Sequence, residues 1–130
     1  MLDENNVLHD GTEITADLSP TSTTRTSGSA VLDLRKSPAK GLYAVVFQAE
    51  NLDDPADLAL ISIEQSSDLA NWVELARFID LTGARAPDTQ ERLVKITARY
   101  VRAKIDVTDD DGSGLSLDNC VIALATHGRG

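Results

Sequence analysis

Val101-Arg102-Ala103-Lys104-Ile105-Asp106-Val107 alternates apolar and charged residues without a break. In an extended chain Val101, Ala103, Ile105 and Val107 leave one face, and Arg102, Lys104 and Asp106 leave the other. A helix would scatter the four aliphatic residues around its axis. The stretch therefore predicts a strand with one face in a core and the other toward water.

On its C-terminal side, Asp109-Asp110-Asp111-Gly112-Ser113-Gly114 reads as a polar tip, and 115–125 as a last strand. Upstream, short apolar runs recur between turn signals. The run 42–49 carries the strand formers Tyr43, Val45, Val46 and Phe47 and ends at Asn51-Leu52-Asp53-Asp54-Pro55. In 58–65, Ile61 and Ile63 alternate with Ser62 and Glu64, then Ser66-Ser67-Asp68 turns the chain into 72–79. Leu58, Ile61 and Gln65 fit a helical face only weakly. Adding 30–34 and 91–96 gives seven strands plus a weaker N-terminal one. This pattern predicts an all-β, single-domain jelly roll or antiparallel β-sandwich with an extended N-terminal arm. The expected divisions are an arm and polar loop over 1–29, a sandwich over 30–126 and a mobile tail over 127–130.

The 130 residues are one domain's worth and long enough to bury a core unaided, with about two-thirds of the unfolded surface removable from water. Aromatic residues are only 4%, so aliphatic side chains must fill that core. The net charge of −9 repels phosphate backbones and anionic membranes, so neither nucleic acid nor membrane is an expected partner. The start, Met-Leu-Asp-Glu-Asn-Asn, is acidic where a secretory signal needs positive charge, and no apolar run reaches membrane-spanning length. Cytoplasmic synthesis is the expectation.

Chemistry-bearing residues are sparse, and no cofactor, metal or enzymatic activity is expected. Cys120 is the only cysteine, set among strand residues where it reads as inert. His9 and His127 read as solvated terminal histidines. Asp109, Asp111 and Asp118 fall at three offsets of a calcium loop, but Val107 occupies the first ligand position and strands flank the loop. Glu64 and Glu74 lie on adjacent strands, as many surface charges do. Trp72 reads as a core or interface residue, with sugar stacking as the alternative. Arg92, Lys95, Arg99, Arg102 and Lys104 give one region a positive bias, within which Arg102 and Lys104 share a strand face able to dock on an acidic surface.

The opening Met1-Leu2-Asp3-Glu4-Asn5-Asn6-Val7-Leu8-His9-Asp10 and the segment Ile63-Glu64-Gln65-Ser66-Ser67-Asp68-Leu69-Ala70-Asn71-Trp72-Val73-Glu74-Leu75 resemble the jelly-roll cement, or decoration, proteins of tailed bacteriophages. There a strand ends in a Ser-Ser-Asp turn and the next begins with tryptophan. The resemblance implies a structural protein on the outer face of a virion. It would bind the major capsid protein, bridge its subunits and form a homo-oligomer, a dimer or a trimer. The polar, Ser/Thr-rich composition of 1–29, with Val7, Leu8 and Ile14 as isolated apolar anchors, leads to a further expectation. The arm should meet neighbouring chains more than its own sandwich, with Val7, Leu8, Ile14, Arg102 and Lys104 as partner-binding residues. A carbohydrate-binding or tail-associated module is the alternative.

Overall fold

The structure is a computed structural model that describes residues 6–34, 41–52, 57–82, 88–109 and 114–126. The strands are β1 (Val7–Asp10), β2 (Leu32–Asp33), β3 (Gly41–Ala49), β4 (Asn51–Leu52), β5 (Leu58–Ser66), β6 (Val73–Arg77), β7 (Leu81–Thr82), β8 (Asp88–Ile96), β9 (Tyr100–Thr108), β10 (Leu117–Asp118) and β11 (Val121–Thr126). They form an antiparallel sandwich, one sheet ordered β1-β11-β3-β8 and the other β2-β9-β5-β6, with β7 also on β5 and β10-β4 as a small separate pair.

The pairing has a simple logic. β5 pairs with β6, β3 with β8, β2 with β9 and β1 with β11. The chain is one long nested hairpin whose tip is the turn between β5 and β6. Rolling that hairpin so that successive pairs fall in alternate sheets produces the double Greek key of a jelly roll. Every residue of the opening stretch lies in β9. Val101, Ala103 and Ile105 are fully buried and Val107 packs against the core, as the alternation predicts. They face Tyr43, Val45 and Phe47 of β3 and Ile122 and Leu124 of β11 in one cluster, completed by Ala59, Ile61 and Ile63 of β5. The rings of Phe47 and Phe78 sit 5.3 Å apart inside it.

Two glutamine side chains act as backbone substitutes where the sheets part. Gln90 on β8 accepts from the Ile79 amide (2.8 Å) and donates to the Ile79 carbonyl (3.0 Å), tying one sheet's edge to the other. Gln65 on β5 accepts from the amides of Thr97 and Ala98 at 2.9 and 3.0 Å, holding the turn between β8 and β9. Each satisfies main-chain groups that no strand reaches.

The N-terminal segment is extended, but the expectation about its contacts is corrected over residues 6–29. β1 forms the edge of the first sheet, Ile14 pairs with Leu117, and Leu18 pairs with Ile105 beside β2 in the second sheet. The Leu18–Ile105 bridge closes with bonds of 2.8 and 2.9 Å, and Ile14–Leu117 with 3.0 and 2.9 Å. Leu8 and Ile14 are as buried as any strand residue, and Val7 is 9% exposed. Average polarity hid this, because a few anchors suffice when open sheet edges lie within reach. Two boundaries also differ. The last strand, expected over 115–125, breaks into β10 and β11 at Asn119, which takes a left-handed φ of 52°. Within 30–34 only Leu32 and Asp33 pair as a strand. The expected tail 127–130 lies outside the described residues.

Candidate functional site

Arg102, expected on an open docking face, is instead the centre of a closed cluster. It stands opposite Glu64 in the β9–β5 ladder, and its guanidinium meets that carboxylate at 2.8 and 2.9 Å. The Trp72 ring lies 4.1 Å away in cation–π contact, and the Pro20 carbonyl accepts a further bond of 3.0 Å. Arg102 is left only 7% exposed. Guanidinium suits this position because its planar fork can bind a carboxylate and a carbonyl while its face stacks on indole. The cation holds residues 17–20 against β9 rather than offering itself to a partner.

The rest of the expected basic region is dispersed. Arg99 makes a bidentate pair with Asp33 at 3.0 and 2.9 Å and lies over Tyr100. Arg92 lies 5.8 Å from the Phe78 ring. Lys95 is exposed on the other sheet, while Lys104 is half-exposed with Asp106 at 3.9 Å. Val7, Leu8 and Ile14 are enclosed in their own chain, so the five expected partner residues share no surface. Glu64 and Glu74 do oppose each other across β5 and β6, but Arg102 compensates the first and Arg77, at 3.2 Å, the second.

The Ser66–Trp72 turn explains its own sequence. The Ser66 hydroxyl oxygen accepts from the amides of Asp68 and Leu69, and the Asp68 carboxylate accepts from those of Ala70 and Asn71. These bonds hold the Asp68 carboxyl well below the usual carboxylate range, the amides of Asn71 and Ala70 contributing most. Leu69 is thereby held at φ 66°, a conformation side chains ordinarily avoid. The result carries Trp72 onto Arg102.

His9, expected to be solvated, is fully buried. Its Nδ1 lies 2.7 Å from the Ser29 hydroxyl and its Nε2 2.8 Å from the Thr12 carbonyl. A neutral ring satisfies both contacts, with Nε2–H donating to the carbonyl and Nδ1 accepting the hydroxyl proton. Arg25 clamps the same region through the carbonyls of Gly28 and Val7, each at 2.6 Å. Burial pushes the His9 pKa below 6.5, against opposing contributions from Thr12 and Asp10. Fold stability is therefore full above 6.5 and falls as pH drops from there toward the folded value, because only the unfolded chain takes up the proton. Melting points measured from pH 7.5 down to pH 5.5 should fall, and a His9→Gln variant should flatten that slope. An equally steep slope in the variant would assign it elsewhere. No sequence pattern signals this histidine beyond its place between Leu8 and Asp10.

A cleft of about 270 Å³ opens beside the His9 clamp, its lining including Asp17, Leu18, Pro20 and the hydroxyl residues Thr21, Ser22, Thr24 and Ser29. Cys120 is fully buried, and its thiol is pushed up to about 12 by burial. Among the described residues no cluster of three or more His, Cys, Asp or Glu side chains could hold a metal ion, and Asp111 lies outside them. The first sheet carries an apolar band on its outer face. Leu93 (56% exposed), Ala44 and Ala125 lie in register across β8, β3 and β11. No protein-family model and no curated protein sequence matches the chain.

Proposed function

We propose that the chain is a structural protein without enzymatic activity. It binds the outer surface of a bacteriophage head and bridges neighbouring major capsid subunits. The observation that supports this best is the jelly roll itself, built as a nested hairpin around the Ser-Ser-Asp turn that carries the resemblance. A bridging protein must transmit load rather than yield, and here the N-terminal segment ties both sheets together at Ile14 and Leu18. The charge of −9 favours the outer face over contact with packaged nucleic acid. Many symmetric copies let a modest contact stabilise a shell. Particles assembled without the protein should release their genome at lower temperature than complete ones. Equal resistance to heat and osmotic shock would refute the role.

One observation favours a second reading, a carbohydrate-binding module. The cleft's wall is rich in hydroxyls, and Pro20 in that wall is tied through Arg102 to Trp72. Titration with a panel of oligosaccharides tests it, and absence of binding to all of them removes it.

A further inference from the structure

β8 ends the first sheet and pairs only with β3 in that sheet, along nine residues. In an antiparallel strand a residue's N–H and C=O point to the same side, and successive residues alternate. Two side chains mark which residues face the open side of β8. Asp88 accepts from the Thr89 amide at 3.0 Å, and Arg92 donates to the Glu91 carbonyl at 3.0 Å. Leu93 and Lys95 share their parity, so their main-chain groups face the same open edge. The side chains of Glu91, Leu93 and Lys95 are all exposed on the outer face, with opposite charges placed symmetrically about the leucine. Neither Glu91 nor Lys95 has an ion-pair partner among the described residues.

From this symmetry we propose that two copies of the chain pair edge to edge through β8, antiparallel about a two-fold axis at Leu93. Leu93 then meets Leu93 of the second copy as a doubly hydrogen-bonded pair. Glu91 meets Lys95 of the second copy, and Lys95 meets its Glu91. Such an interface is isologous and closes on itself, joining two four-stranded sheets into one. A one-residue slip would oppose residues whose main-chain groups face inward, and a two-residue slip would break the charge matching. The pairing is independent of what the dimer then binds.

Sedimentation equilibrium of the full chain over a concentration series is the test. The wild type should be a dimer in reversible exchange with monomer. E91K alone places lysine opposite lysine twice, and K95E alone places glutamate opposite glutamate twice. Each should raise the dissociation constant about 10-fold, since opposed like charges destabilise a strand pair. The double variant E91K/K95E restores both pairs and should return to within about 3-fold of wild type. L93E, at a site already exposed, should keep the native circular dichroism spectrum and abolish the dimer. A wild type that stays monomeric overturns the proposal. So does a dimer indifferent to the single reversals, or one that the double variant fails to restore.

Discussion

Ile105→Asp is expected to abolish the folded state. Ile105 is fully buried at the middle of β9, opposite Ile61 on β5, and its main chain carries the bridge to Leu18. A carboxylate there has no cation within the core, and it must either remain charged in an apolar setting or take up a proton. Losing the isoleucine contacts adds to that cost, so the total should exceed about 4 kcal/mol, comparable with the whole stability of a marginal domain. Lys104→Ala, one residue away on the outer face, should shift stability by no more than about 0.5 kcal/mol. Urea titration followed by circular dichroism separates the two. A cooperative transition near the wild-type midpoint for Ile105→Asp would contradict the packing described.

Removing residues 1–18 should be nearly as damaging. That deletion strips β1 from β11, uncovers Leu117 and opens the edge of β9 beside Ile105. Leu8→Ala and Ile14→Ala should each cost about 2–5 kcal/mol, as fully buried aliphatic residues do. Together they approach the net stability of a domain this size. Thermal melts of the truncated chain and of both point variants provide the measurement. An unchanged midpoint after truncation would mean that the segment is only draped on the sandwich.

The sandwich was legible because its strands obey a period of two. β3, β5 and β9 each present apolar residues inward at alternate positions, and turn residues separate them. The N-terminal segment was not legible in the same way. Its anchors Leu8, Ile14 and Leu18 follow no period, because each meets a different strand across an irregular path. Arg102 misled for a related reason. Alternation correctly sent it outward, yet outward is not solvent when Trp72 and Pro20 arrive from distant parts of the chain. His9 was misread because burial of a polar ring depends on partners at Thr12 and Ser29, and only the folded path brings these to its two nitrogens. The site residues were thus identifiable as types, while their company was set by tertiary structure.

The nested pairing also dictates a timetable. The β5–β6 hairpin closes over a short turn, but each outer pair must join segments farther apart, ending with Val7 against Ala123. Closure entropy and slow non-local pairing make the outermost pair the last to form. On a ribosome the delay is longer still, because roughly 100 residues must be made between β1 and β11, about 5–20 s at ordinary rates. Throughout that interval Leu8 and Ile14 lack their C-terminal partners, and β3, once made, lacks β11 along one edge. Newborn chains are thus exposed to one another's sheet edges before they are protected by their own, so crowding during synthesis should limit yield more than the finished fold's stability does.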